Sequence, residues 1–239
     1  PTAGSALEAT VARLRSDDYL GFNVTIPHKE RMVELVDDVE EVANQIGAIN
    51  TVVNKGGSLT GHNTDAYGFI KSLREKAGFE PRGKSVLLLG AGGAARAAAY
   101  GLAHEKVSRL TIANRTVERA ASLAGEFVGL IDQVEIVPLD AIKVEADLIV
   151  NSTSIGMLHS DGEGRSALAT KLLPPGTLVY DMVYTPAQTP LIRQATHSGA
   201  SVLGGLWMLI YQGAASFELW TGKPAPIETM YRAAEYALR

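Results

Sequence analysis

Two charged residues beside short extended runs offer the first chemistry in this sequence. Asn23-Val-Thr-Ile-Pro-His-Lys-Glu30 sets Thr25, His28 and Lys29 just beyond an alternating strand pattern, Leu20 to Ile26, which Pro27 ends. Asn63-Thr-Asp-Ala-Tyr-Gly68 sets Asp65 where another strand gives way to a helix. Ligands of α/β sheets bind outside the carboxyl ends of strands, so a Lys and an Asp converging there make a proton-transfer unit. The ammonium can protonate a developing alkoxide, and the carboxylate can orient it and stabilise its charge. Singly, each residue has a plainer reading. Lys29 could be a solvated residue at a helix start, Asp65 a helix N-terminal charge, Thr25 a strand residue and Asn50 a turn former. His28 reads as structural, capping the helix start.

A second stretch supplies a partner for that unit. Ser85-Val-Leu-Leu-Leu-Gly-Ala-Gly-Gly-Ala-Ala-Arg96 is a buried strand, a break at Gly90 and an alanine-rich helix from about Gly93. Gly90, Gly92 and Ala95 fit the dinucleotide fingerprint: a tight turn, a bare backbone for the pyrophosphate, and close helix–strand packing. Ala91, Gly93 and Ala94 complete the turn, with amides at the positive end of the helix. The other reading is a glycine-rich turn in an ordinary βα unit, and the next strand decides between them. Arg109-Leu-Thr-Ile-Ala-Asn-Arg-Thr116 ends about 20 residues on, where an NAD enzyme carries Asp or Glu for the ribose. Here stand Asn114, Arg115 and Thr116, with Arg119 four residues after Arg115 and so on the same helical face. Two guanidiniums and a hydroxyl suit a 2′-phosphate, so the cofactor expected is NADP(H).

The elements that must position these groups alternate along the chain. A Ser5–Glu8 capping box opens a helix to about Ser16, and further helices are expected over His28–Leu35 and, opened by Asp38, over Val39–Gln45. Lys55-Gly-Gly57 joins two strands as a hairpin, and a helix runs from Asp65 to Ala77. Phe79–Lys84 carries the boundary composition, although the crossover can lie in the helix before it. Later strands are expected near Val134–Val137, Asp147–Asn151, Leu178–Val183 and Ala200–Leu203. Met157–Leu173 is either a mobile loop or a surface insertion. A buried apolar helix, Leu206–Trp220, crosses back to the first lobe, and an amphipathic helix, Ile227–Leu238, closes the chain. The fold expected is α/β with two domains. Residues 66–209 form a Rossmann-type NADP-binding domain. Residues 1–65 plus 210–239 form a smaller α/β substrate domain, with a cleft between the two.

Bulk properties bound the partners. The 239 residues carry a net charge of −4 and no cysteine, which gives no electrostatic case for nucleic acid and removes disulfides, thiolate nucleophiles and Cys-held metals. No metal site is expected. No apolar run approaches the ~18 residues of a spanning helix, and the start lacks a signal-peptide pattern, so the expectation is no membrane partner and a cytoplasmic location.

Seven segments together resemble the shikimate dehydrogenase family: Asn23–Lys29, Gly47–Thr51, Gly61–Asp65, Gly90–Ala94, Asn114–Thr116, Asp181–Tyr184 and Gly204–Gln212. The resemblance spans about Gly21 to the C-terminus. It implies NADP-dependent, reversible reduction of 3-dehydroshikimate to shikimate, a step of aromatic amino-acid biosynthesis. Lys29 then matches the catalytic lysine and Asp65 its paired aspartate. Thr25, Asn50, Tyr184 and Gln212 match groups that hydrogen-bond the substrate, and Met182 and Gly205 match positions at the nicotinamide end. Monomer and homodimer are both open.

Before Pro1 the family has a strand, a Ser-x-Ser carboxylate-binding motif, a helix and a second strand. Ser5 and Ser16 do not stand in that context. The expectation is an omitted N-terminal portion, because the sheet would otherwise bare an edge; the other reading is a shortened relative with impaired substrate binding. Rival functions are a quinate/shikimate dehydrogenase with NAD or dual cofactor use, against which the non-acidic tip argues, and a non-catalytic ligand sensor, which Lys29 and Asp65 disfavour. A glutamyl-tRNA reductase would need a cysteine.

Overall fold

The computed structural model describes residues 6–16, 18–142, 144–168 and 173–238. The first alternating runs form a mixed sheet of β1 (Gly21–Asn23), β2 (Asp38–Val39), β3 (Thr51–Lys55) and β4 (Ser58–His62), ordered β1-β3-β4-β2. β3 and β4 are the expected hairpin. Gly56 and Gly57 take φ values of 59° and 87°, the positive pair that a two-residue turn of this twist demands. Two helices, α1 (Leu7–Leu14) and α2 (Glu41–Ile46), belong to the same lobe, whose core gathers Leu7, Val11, Met32, Ala43, Val52 and Leu59.

Two expectations in this lobe need correction. Over His28–Leu35 the only helical piece is a 3-10 turn, Arg31–Glu34. His28 donates its N–H to the Thr25 carbonyl at 2.9 Å, so the chain after Pro27 makes a turn instead of a helix start. Asp38 opens no helix; it lies in β2, and Glu40 caps α2 by accepting from the Val42 and Ala43 N–H groups at 3.1 and 3.4 Å. Ser5 lies outside the described residues, and α1 begins at Leu7 with Ala6 at its N-cap.

The second sheet is wholly parallel: β5 (Ser85–Leu89), β6 (Arg109–Asn114), β7 (Gln133–Pro138), β8 (Leu148–Asn151), β9 (Leu178–Asp181) and β10 (Ser201–Gly204). Its order is β10-β9-β8-β5-β6-β7, the doubly wound order with its switch point between β5 and β8. β5, β8 and β9 are apolar runs because helices cover both faces. Those helices include α3 (Asp65–Ala77), α4 (Gly93–His104), α5 (Val117–Gly125) and α6 (Pro190–His197). Met157–Leu168 packs as turns, with Ala167 and Leu168 buried in the core beside Val179 and Leu191; residues 169–172 lie outside the description.

Two helices tie the sheets together. α3 follows β4 and leads towards β5, and α7 (Leu206–Thr221) follows β10 and returns to the first sheet, where Trp220 donates its indole N–H to the Val52 carbonyl at 2.9 Å. They pack backbone against backbone, since a Cβ on Gly68 would meet the Gln212 nitrogen at 2.8 Å and the Met208 carbonyl at 2.9 Å. α7 is less buried than its composition implies. Met208, Ile210, Tyr211 and Ala214 are covered, whereas Leu219 is exposed, because α3, β3 and α8 (Ile227–Ala237) flank only part of it. Among the described residues no helix is long and apolar enough to cross a membrane.

Candidate active site

Lys29 and Asp65 meet. The Lys29 Nζ lies 2.6 Å from Asp65 Oδ2, and the two side chains are 14% and 4% exposed. The missing helix explains how: Lys29 sits in a turn, and its carbonyl accepts from the Ile49 N–H at 2.9 Å, which fixes the turn against the segment leading into β3. Asp65 is the first residue of α3, and its N–H donates to Asn63 Oδ1 at 3.0 Å. The other carboxylate oxygen accepts from Asn50 Nδ2 at 2.9 Å.

Behind this pair lies a buried polar network. Asn50 Nδ2 also reaches Thr64 Oγ1 at 2.8 Å and Gln212 Oε1 at 3.1 Å, and its Oδ1 accepts from the Thr64 N–H at 2.8 Å. Thr51 and Ser216 share a hydrogen bond of 2.7 Å, and Asn23 donates to Ser216 at 3.2 Å. Such a network rigidifies a site only when every member is partnered. Among the described residues no buried side-chain nitrogen or oxygen lacks a partner.

The fingerprint turn faces this pair directly. A Cβ on Gly93 would lie 3.1 Å from Lys29 Cβ and 3.3 Å from its Cδ, so the lysine stem lies against the first residue of α4. Gly90 has φ 110°, and a Cβ there would meet Ser152 Oγ at 2.6 Å, so this turn needs glycine. Gly92 is the N-cap of α4 with open space where a Cβ would be. Bare backbone at a helix N-terminus is an anion cradle; Ala91 and the fully buried Ala95 pack in the core with Val86 and Leu88 of β5, and Ala94 is half-buried in the first turn of α4. These residues fit a dinucleotide pyrophosphate.

Met182 and Gly205 are also together, because a Cβ on Gly205 would run into the Met182 carbonyl. The loop that carries Met182 is anchored by Asp181, which is fully buried and accepts from Asn151 Nδ2 at 2.9 Å, the Val183 N–H at 3.1 Å and Thr189 Oγ1 at 2.6 Å. Burial pushes the Asp181 carboxyl above its ordinary range, and these three donors oppose the shift.

The tip after β6 differs from its sequence reading in one respect. Asn114 Nδ2 donates to the Thr116 carbonyl at 2.8 Å and shapes the turn. Arg115 precedes α5, so it and Arg119 do not share a helical face; Arg119 reaches across to Glu30 at 3.2 Å. Thr116 caps α5 without a side-chain bond. Thr25 and Tyr184 are exposed, and among the described residues neither shares a hydrogen bond with the Lys29–Asp65 network. Gln212, by contrast, is inside it.

Several members went unread in the sequence. Ser216 is four residues after Gln212 and so on the same face of α7, a spacing that marks it as a neighbour. Arg96, next to the fingerprint, links the lobes: its Nε donates to the Ile46 carbonyl at 2.5 Å and its Nη2 pairs with Glu126 at 2.8 Å.

The chain is similar to known proteins in sequence and in fold. The model of the shikimate dehydrogenase substrate binding domain matches residues 2–52, that of shikimate / quinate 5-dehydrogenase residues 72–160, and that of the shikimate 5′-dehydrogenase C-terminal domain residues 205–235. A shikimate dehydrogenase (NADP(+)) of Moorella thermoacetica is 44% identical over 238 residues, covering 97% of this chain and 80% of that protein. The crystal structure of shikimate 5-dehydrogenase from Thermus thermophilus in complex with NADP(H) and shikimate superimposes with a TM-score of 0.87 at 38% identity, covering 99% of this chain and 86% of that one. Quinate dehydrogenase from Corynebacterium glutamicum in complex with NAD gives 0.86 at 32% identity, covering 98% and 84%.

Proposed function

The chain belongs to the shikimate dehydrogenase family, and on that footing we propose how its residues divide the work. It is an NADP-dependent oxidoreductase that reversibly reduces 3-dehydroshikimate to shikimate, in the route to aromatic amino acids. Residues 1–65 plus 210–239 serve as the substrate domain and 66–209 as the cofactor domain. Their seam passes through α3 and α7.

The observation that carries this reading is the 2.6 Å Lys29–Asp65 contact lying against Gly93 at the head of α4. Residues 90–94, Asn114, Arg115, Thr116 and Arg119 would hold the dinucleotide, with Met182 and Gly205 lining its nicotinamide end, and when bound it would supply the hydride. Lys29 gives a proton from Nζ to the substrate oxygen during reduction and takes it back in the reverse direction. Asp65 holds the ammonium in place, and Asn50 fixes the free carboxylate oxygen so that the pair keeps one geometry. Thr25, Asn50, Tyr184 and Gln212 hold the hydroxyls and carboxylate of the substrate. An analogue lacking one hydroxyl would lose the bond to its partner among these four, which favours the full substrate.

A matrix of NADP and NAD, each against shikimate and quinate, tests the assignment. Reduction of NADP by shikimate is expected to dominate. Faster turnover of NAD with quinate would transfer the chain to the quinate branch of the family.

A further inference from the structure

The segment 46–50 touches the fingerprint helix at one end and the catalytic pair at the other. Arg96 of α4 donates from Nε to the Ile46 carbonyl at 2.5 Å, and its guanidinium lies over Gly47, where a Cβ would meet Nη2 at 2.6 Å. Gly93, at the head of the same helix, lies against Ala48, with 3.7 Å between the Ala48 Cβ and the place of a Gly93 Cβ. On the catalytic side, Ile49 donates its N–H to the Lys29 carbonyl at 2.9 Å, and Asn50 Nδ2 holds Asp65 Oδ1 at 2.9 Å. The Ala48 carbonyl accepts from Asn63 Nδ2 at 2.8 Å, and Asn63 Oδ1 takes the Asp65 N–H at 3.0 Å. Ile46, Ala48 and Ile49 are fully buried, and a close-packed segment transmits a shift at one end to the other.

Arg96 is itself held in place. Glu126, the residue that follows α5, accepts from its Nη2 on both carboxylate oxygens at 2.8 Å, so the guanidinium is fixed from the cofactor lobe. The last turn of α2 carries no basic residue of its own, and Arg96 brings a cation to that carboxyl end from the other lobe. Ile46, Ala48, Ala66 and Ala97 already fasten the lobes here by apolar contact, which is non-directional. A planar guanidinium fork adds an orientation. We propose that Arg96 is a positioning residue for the chemical step: it holds segment 46–50, and with it Lys29 and Asp65, at a set distance from the fingerprint turn. The inference rests on the reading of the Lys29–Asp65 pair above and deepens it. A tie that only stabilised the fold would lower Tm and leave the rate of that step alone.

Single-turnover reduction of 3-dehydroshikimate by the NADPH complex tests it on the full chain, with the NADPH dissociation constant and Tm taken on each sample. Arg96→Met keeps the stem and loses every donor. It is expected to slow the step by about 10–30-fold and keep NADPH binding within about twofold of the parent, as a small misplacement of reacting groups does. Arg96→Lys keeps a cation and a donor and should recover the rate to within about threefold of the parent. Arg74→Met gives up ion pairs to Glu80 and Glu105 away from the segment and should keep the parent rate. A parent rate in Arg96→Met, an equal loss in Arg74→Met, or a rate loss matched by a rise in the NADPH constant would each overturn the proposal. Should Arg96→Met not fold, Glu126→Gln loosens the same guanidinium and should slow the step by about two- to fivefold; a parent rate there would overturn it. Lys29→Ala in the same assay separates the two readings. If it turns over at the parent rate, the reading of the catalytic pair itself fails. If it is slow while Arg96→Met is not, only the role of Arg96 is overturned.

Discussion

The two polar sites that face each other across the cleft are built in opposite ways. Around Asp65 the groups are buried and mutually bonded: Asn50, Thr51, Thr64, Asp65 and Ser216 are all 5% exposed or less. Beyond β6 the cations stand in solvent, and Arg119 holds Glu30 with both side chains about half exposed, at 56% and 47%. A buried polar group left stranded costs on the order of 1–3 kcal/mol, so the substrate side has one stable arrangement. Exposed cations hold a phosphate by charge that salt screens and side chains can adjust to. On the proposed reading, one side supplies precision and the other supplies affinity.

The sharpest way to break that contrast is within the paired charges. Lys29→Ala and Asp65→Asn should each lower kcat by about 10³-fold, and the double variant should be little worse, because the two act as one unit. Multiplied losses in steady-state assays would show two independent roles. On the cofactor side, Arg115→Ala should raise the NADP dissociation constant by about 10–100-fold and leave NAD nearly unaffected, the scale of a charge-assisted pair to phosphate. Added salt should then weaken NADP more in the parent than in the variant, which titrations at two ionic strengths would check.

Smaller effects refine the same comparison. Ser216→Ala removes the bonds from Thr51 and Asn23, which keep others to Asn50 Oδ1 and the Asn50 carbonyl, and should cost about 1 kcal/mol, a fall of ~2–4 °C in Tm for a chain of this size, measurable by calorimetry. The least effect belongs to an exposed pair. Asp147 accepts from the Ser85 N–H and hydroxyl at 2.8 and 2.7 Å, and these bonds hold its carboxyl below the ordinary value. A lowered folded value stabilises the protein above the unfolded pKa, near 3.8, and that gain is lost as pH falls through the folded value. Because the Asp147 side chain is 43% exposed, Ser85→Ala should cost only about 0.5 kcal/mol at pH 7. The difference should vanish in strong acid, which denaturant melts across pH would show.

What the sequence disclosed follows the same divide. α3 and the β5–α4 turn were legible because single residues punctuate them: Gly78 ends α3 at φ 61°, and Gly90 takes φ 110°. The 3-10 turn at 31–34 was not, because Met32 and Val33 pack into the core with a spacing that a helix also permits. α6 was missed although Thr189 and Pro190 are its start signals, since Pro190 also reads as a breaker. Lys29 and Asp65 were placed by strand ends. Their shared network through Ser216 was not, because it depends on α7 returning from 165 residues away. The Glu30 partner of Arg119 escaped for the same reason: it forms between lobes.

The central claim is that Lys29 acts on the chemical step while the cofactor is held elsewhere. The most direct measurement is single-turnover reduction of 3-dehydroshikimate by a preformed complex of Lys29→Ala with NADPH, with the NADPH dissociation constant taken on the same sample. The account predicts an unchanged constant and turnover slowed by about 10³-fold. Turnover at the parent rate in that complex would contradict it.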